Sequence, residues 1–324
     1  MNRRFLPLLM TTSVFVLGYL FCSFEFHNFA TVRVICNLLT DNAFLGIVAV
    51  GMTFVILSGG IDLSVGSVIA FTTVFLAITI EQLSLPPVLA FAMILVIGAA
   101  FGAAMGACIH YLKIPAFIIT LAGMFLARGL SFLLTTDSIP VNHPLYSTLN
   151  DVSIPILSGR LSLIAIVMLL VFVAGGILAH QTRFGTNVFA LGGNLTSAQL
   201  MGVPVGRTMI LIYTLSGFLS ALAGIVFSLY TSAGYSLAAT GTEMDAIAAV
   251  VIGGTLLTGG YGYVFGTFVG ILIQGLIQTF ITFDGTLSSW WTKIAVGVLL
   301  FAFIGFQRLL LIFWSPRNRS AESM

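Results

Sequence analysis

The sequence predicts an all-α polytopic membrane protein with about ten transmembrane helices, and three observations lead there. Of its 324 residues, 59% are hydrophobic and 7% charged. A soluble domain carries roughly 25% charged residues, and 12 basic with 10 acidic side chains cannot clothe a water-facing surface of this size without large apolar patches. The charges also leave long gaps: none falls between Arg4 and Glu25, Asp41 and Asp62, Glu81 and Lys113, Arg160 and Arg183, Arg207 and Glu243, or Asp245 and Asp284. A helix needs about 20 apolar residues to cross a hydrocarbon core of about 30 Å. Apolar and polar residues do not alternate in ten-residue segments, which argues against a membrane β-barrel. The same composition excludes a disordered chain, a soluble enzyme domain and a nucleic-acid-binding protein. The solvent of this chain is lipid.

Taken in order, the spans are 5–24, 43–58, 65–84, 88–111, 115–134, 161–180, 208–230, 245–257, 263–283 and 290–312, one transmembrane domain over 1–324. The first follows Arg3-Arg4; no small-residue cleavage site succeeds its apolar run, so it reads as a retained helix rather than a targeting segment. The second and eighth are too short to cross without tilting or breaking. Both end at a double glycine, Gly59-Gly60 and Gly259-Gly260, where broken or re-entrant helices are expected near 58–64 and 257–262. The surroundings echo at an offset of 200, from Ala49-Val50 and Leu57 to Ala249-Val250 and Leu257; duplication and shared use of glycine at helix breaks both account for this. In the fourth span Gly98, Gly102 and Gly106 recur every four residues, the spacing that lets helices approach closely in lipid. Residues 135–160 carry Pro140, Pro144 and Pro155 and form a loop. Residues 181–207 form the other long loop, in which Thr196–Leu200 suits a short helix capped by Asn194 or Thr196 and stopped by Gly202 and Pro204. It is either an ordinary loop or a docking element for a soluble partner. The last span opens on the interfacial pair Trp290-Trp291, beside which Lys293 can snorkel outwards.

With ten spans, one side collects Arg3, Arg4, Lys113, Arg183, Arg207, Arg308, Arg317 and Arg319, while the other holds only Arg33 and Arg160. The positive-inside rule then places both termini and the 181–207 loop in the cytoplasm, and the 135–160 loop outside.

Chemistry is sparse. The two lysines, Lys113 and Lys293, follow Leu112 and Thr292, so neither belongs to a phosphate-binding loop. The four histidines share no helical face with Cys, Asp or Glu, so neither a metal site nor a catalytic residue is assigned. Cys22, Cys36 and Cys108 form no disulfide framework. Glu243 and Asp245 suit the first turn of a helix. Among ionisable groups near the spans, Asp62 precedes Ser64 and either caps the next helix or touches a solute. Arg128, beside Gly129, must face a polar cavity or a helix-end carbonyl. Asn42, Ser58 and the i, i+4 pair Gln274 and Gln278 serve either as interhelical hydrogen-bond partners or as contacts for a neutral hydroxylated solute. The residues alone thus leave an ATP-driven subunit, a proton-coupled transporter and a channel open.

Asn37-Leu38-Leu39-Thr40 followed by Gly51-Met52-Thr53-Phe54-Val55-Ile56-Leu57-Ser58-Gly59-Gly60-Ile61-Asp62-Leu63-Ser64-Val65-Gly66-Ser67 closely resembles the signature of one family. It is the sugar-type permease subunit of bacterial ABC importers, the ribose, xylose, arabinose and galactose group. Further matches follow in order: Pro115 to Gly123, Arg128-Gly129, Ala190-Leu191-Gly192-Gly193-Asn194, Gly202-Val203, and Asp245 to Gly254 with Gly259-Gly260. Within the family, the chain most resembles a permease of the enterobacterial galactofuranose importer, which pairs two different permease subunits. The resemblance implies a non-enzymatic inner-membrane subunit that moves a neutral monosaccharide by alternating access. Its implied partners are an ATP-binding subunit holding ATP and Mg²⁺, a second permease and a periplasmic sugar-binding protein. It makes Gly192, Gly193, Asn194, Ala198 and Gly202 the coupling segment seated on the ATPase. It also makes Asn42, Ser58, Gly59, Gly60, Asp62, Ser64, Arg128, Gln274 and Gln278 candidates for the path or its helix breaks. Thr196 to Gln199 departs from the more charged stretch of many members, so docking would rest on packing and hydrogen bonds.

Overall fold

A computed structural model describes residues 6–314, with side chains from 8 to 305. Arg3, Arg4, Arg317 and Arg319, used above for orientation, lie outside the described residues. The chain opens with α1 (Leu6–Glu25), then α2 (Val32–Asp41), capped by the Thr31 hydroxyl, and α3 (Ala43–Leu57). α4 (Val65–Ala77) continues into a π-helical turn over Ile78–Gln82, and α5 (Pro87–Tyr111) starts with a proline at its first position. α6 (Ala116–Leu134) follows, then β1 (Ile139–Pro140), α7 (Pro144–Asp151), and an antiparallel hairpin of β2 (Ser153–Ile156) and β3 (Gly159–Ser162). α8 (Leu163–Gln181) is capped by Ser162, α9 (Arg183–Gly193) by Thr182 and α10 (Leu195–Leu200) by Asn194. α11 (Val205–Thr231), β4 (Ala233–Gly234), α12 (Thr242–Ile252), α13 (Val264–Asp284) and α14 (Trp290–Trp314) complete the chain.

Several expectations are refined. Seven helices among the described residues are long and apolar enough to cross a bilayer, or eight if α2 and α3 form one span bent by 58°. The bend falls at Asn42, so the short span expected over 43–58 is α3, joined to α2 as a broken span or a re-entrant pair. α12 stops at Ile252 after 11 residues, too short to cross, because Gly253, Gly254 and Gly259-Gly260 withdraw the chain from helix. The 135–160 loop holds α7 and the hairpin, and β1 pairs with β4, fastening this loop to the α11–α12 connection. The 181–207 loop is almost wholly helical.

α11 packs most extensively against α5, and next against α3 and α4. The glycine stripe of α5 makes this possible. A Cβ at Gly102 would overlap the Tyr213 carbonyl oxygen, and one at Gly106 would lie 2.9 Å from the Ile210 Cα. α3 is apolar all round, and 14 of its 15 residues are buried, which makes it an interior helix. By contrast α1, α5 and α6 expose Leu17, Phe24, Val96, Phe125 and Leu133, apolar surface that only lipid or another apolar partner can solvate. Cys22, Cys36 and Cys108 are free thiols.

Candidate functional site

α3 ends at Ser58, whose hydroxyl donates to the Val55 carbonyl at 2.7 Å. Gly59 then takes φ +81°, a left-handed value that favours glycine, and the chain turns through 60–64 into α4. Asp62 is fully buried in that turn. Its Oδ1 accepts from the Ser64 amide at 2.9 Å and the Ser64 hydroxyl at 2.7 Å, and its Oδ2 accepts from the Ser216 hydroxyl of α11 at 2.7 Å. Ser64 occupies the cap position of α4, so Asp62 acts two residues earlier, as an Asx turn pinned to α11, and not as the cap itself. With three donors on a buried carboxylate, the desolvated charge is compensated locally.

The second break mirrors the first in composition. After α12, Gly254 is at φ +92°, the Leu256 amide donates to the Tyr261 carbonyl at 3.0 Å, and Gly259 and Gly260 are at φ +81° and +75°. The two breaks touch: the Gly260 amide donates to the Leu57 carbonyl at 2.9 Å.

The end of α9 inserts between them. A Cβ at Gly192 would overlap the Leu57 carbonyl oxygen and lie 2.5 Å from the Gly260 nitrogen. One at Gly260 would lie 2.8 Å from the Gly193 Cα, and one at Gly259 2.7 Å from the Gly59 nitrogen. Three double glycines, Gly59-Gly60, Gly192-Gly193 and Gly259-Gly260, therefore meet backbone on backbone. Gly193 differs from its neighbour, because nothing lies within 4 Å of a Cβ built there. The expected short helix is α10. Asn194 Oδ1 accepts from the Ser197 amide at 2.8 Å, and Ala198 is fully buried. Gly202 at φ +78° returns the chain to α11. Leu200 and Met201 point outwards, 85% and 71% exposed, an apolar tip on the segment. Beside the junction opens a cavity of about 530 Å³ lined by Ser58, Gly59, Gly60, Lys113, Gln199 and Tyr213 among others.

Arg128 finds helix-flanking carbonyls, as its position demanded: its Nη1 donates to Ser236 O at 2.6 Å and Ala238 O at 2.9 Å. It thereby clamps the α11–α12 connection to α6 and stands apart from the glycine junction. Asn42, Gln274 and Gln278 come together in a separate polar cavity of about 310 Å³. There Lys293 pairs with Asp245, Nζ to Oδ1 at 2.6 Å, instead of only snorkelling to the interface. Gln274 Nε2 donates to the Asp245 carbonyl at 3.0 Å. Sequence reasoning missed Ser216 and the Asp245–Lys293 pair, and no local signal marks either. The Gly259-Gly260 echo was visible, though not its contact with Gly192-Gly193.

A lipid-solvated bundle with broken helices and a polar cavity has the construction of a membrane transport protein. A family profile for the permease component of branched-chain amino acid transport systems matches residues 34–304, and the chain belongs to that permease family. It is 64% identical to the inner membrane ABC transporter permease protein YjfF of Escherichia coli K12, over 99% of this chain and 97% of that one. It is 37% identical to the fructose import permease protein FruG of Bifidobacterium longum, over 96% and 93% of the two chains. It is 38% identical to the ribose import permease protein RbsC of E. coli K12, over 84% and 85%. No solved structure matches the chain.

Proposed function

We infer that this chain is the membrane-spanning permease subunit of an ATP-driven, binding-protein-dependent sugar importer of the bacterial inner membrane. The relatives named for fructose and ribose import support a sugar, the 64% identity to the ABC transporter permease YjfF supports the permease role, and galactofuranose is the sugar of the importer that the sequence most resembles. ATP and Mg²⁺ belong to a separate ATP-binding subunit. A second permease, different from this one, completes the pore, and a periplasmic sugar-binding protein delivers the solute to the 135–160 and 231–243 segments. In this reading about ten helices place both termini in the cytoplasm, with the sharply broken α2–α3 pair and the short α12 counted among the passes.

The observation that carries the reading is the glycine junction. The segment whose exposed tip is Leu200-Met201 seats its other end, Gly192-Gly193, against both helix breaks. Closure of an ATPase on α10 thus reaches the ends of α3 and α12 and the start of α13 through backbone contacts, and alternating access follows from their tilt. Asp62 and Ser64 keep α4 fixed to α11 during that motion, and Arg128 holds the α11–α12 connection.

The test is purification of the tagged chain in mild detergent with mass spectrometry of what accompanies it, followed by uptake in reconstituted vesicles. An ATP-binding subunit and a second permease should co-purify, and sugar uptake should require ATP and the binding protein. A chain that purifies alone and moves sugar without ATP sinks the reading.

A further inference from the structure

The polar cavity of about 310 Å³ falls at the lower end of the roughly 300–1,000 Å³ range of small-ligand sites. Its chemistry is unusual for a lipid-solvated bundle. Gln278, which is exposed and lines the cavity one turn from Gln274 on the same face of α13, makes no side-chain hydrogen bond among the described residues. Gln274 spends its amide nitrogen on the Asp245 carbonyl and Asn42 spends its own on the Leu38 carbonyl at 2.9 Å, so each keeps a side-chain oxygen for an incoming donor. The Thr292 hydroxyl lines the same space from α14. Gln274 and the Asp245–Lys293 pair bond across helices, whereas the Gln278 side chain is left without such a partner among the described residues. The charged groups cancel, because Asp245 and Lys293 form an ion pair. A second cavity of about 150 Å³ shares Asn42 and Gln278 and extends the polar surface along α2 to Asn37 and Asp41.

We propose that this cavity, between the start of α3, α12, α13 and α14, is a contact site for the transported solute within this subunit, and that its ligand is a neutral polyhydroxylated ring of monosaccharide size. The proposal rests on the importer reading above. Neutral amides and hydroxyls suit such a ring, since each offers both a donor and an acceptor or rotates to offer either. The ion pair adds a carboxylate edge and ammonium donors without net charge. Because the polar groups come singly and the cavity opens to the surface, binding is weak enough for release, as a conducting site requires.

The test uses the whole complex in proteoliposomes, driven by ATP and the loaded binding protein, with whichever of labelled ribose, fructose or galactofuranose the wild type takes up. Gln278→Leu and Thr292→Val each remove a polar group without deleting volume from the helix packing. Sugar moved per ATP hydrolysed should fall about three- to tenfold in each, the factor one neutral hydrogen bond supplies, while abundance and ATPase stimulation by the binding protein stay at wild-type levels. A merely structural role would lower abundance and ATPase stimulation together, and that pattern overturns the proposal. So does wild-type sugar per ATP in both variants. A wild-type complex that takes up no sugar with ATP brings down the importer reading and this site with it, and the control lane alone reports that outcome.

Discussion

The substitution Gly192→Ala places one methyl group where three chain segments cross. Its Cβ would overlap the Leu57 carbonyl oxygen and stand 2.5 Å from the Gly260 nitrogen, the two atoms joined by the 2.9 Å hydrogen bond between the breaks. An ordinary carbon-to-oxygen contact needs more than 3 Å on the general scale of nonbonded separations, so the segments must part. Overpacking of this kind costs about 1–3 kcal/mol. Losing the Gly260–Leu57 bond at a buried site adds about 1–3 kcal/mol. Against this stands the intrinsic preference of a helix for alanine over glycine, about 1 kcal/mol. The net expectation is about 1–5 kcal/mol of destabilisation concentrated at the junction. Gly193→Ala is the internal control: with nothing within 4 Å of its Cβ it meets no steric cost, and the helix preference leaves it between neutral and about 1 kcal/mol more stable. The assay compares melting of the detergent-solubilised complex, ATPase stimulation by the loaded binding protein, and uptake. Gly192→Ala should lower the melting midpoint by about 2 °C or more and reduce uptake more than ATP hydrolysis, while Gly193→Ala melts at or above the wild-type midpoint and matches wild type in the other two. Equal behaviour of the two variants would refute the junction as a mechanical contact.

Asp62→Asn should cost little, because its amide can accept from Ser64 and donate to Ser216, whereas Asp62→Ala leaves three donors unmet and should cost about 2–4 kcal/mol, read as lost abundance. Loss of uptake in Asp62→Asn at normal abundance would mean that the charge itself acts in transport. Arg128→Ala strips the Ser236 and Ala238 carbonyls of a charged donor and should lower abundance by about 2 kcal/mol of stability, with Arg128→Lys intermediate; wild-type melting in Arg128→Ala refutes the clamp. Leu200→Glu with Met201→Glu puts two charges on the exposed apolar tip and should weaken retention of the ATP-binding subunit at least tenfold while leaving the chain itself folded. Full retention would move the docking surface elsewhere.

Much of the framework was legible because lipid imposes simple rules. Charge-free length located α5, α6, α8 and α13 to within a few residues, and the Gly98, Gly102, Gly106 spacing announced the close contact of α5 with α11. Asn194 as a cap and a stop at Gly202-Pro204 gave α10, since capping is local chemistry. What failed had non-local causes. The bend at Asn42 carries no proline or glycine and was invisible, and α9 looked like loop because its glycines, Gly185, Gly192 and Gly193, argue against helix until their packing partners are known. Ser216 lies 154 residues from Asp62, and Lys293 lies 48 from Asp245; no pattern short of the fold joins such pairs.

The same reasoning explains why the junction is built of glycine and not of interlocking side chains. A side chain between moving segments has rotamers, and a push of a few tenths of an ångström is absorbed by a change of χ before it reaches the next element. Backbone lying on backbone has no such slack, because peptide planes are stiff and close-packed contacts transmit displacement. At Gly192 the chain can neither yield towards Leu57 nor slide past Gly260 without breaking a hydrogen bond. Gly259 and Gly260 serve twice: they take left-handed turns after α12, and they lack the Cβ that would hold α9 away, while Gly59 takes the left-handed turn after α3. Two demands on one residue type, conformational at the breaks and steric at the contact, are what place all three double glycines at one point in the fold.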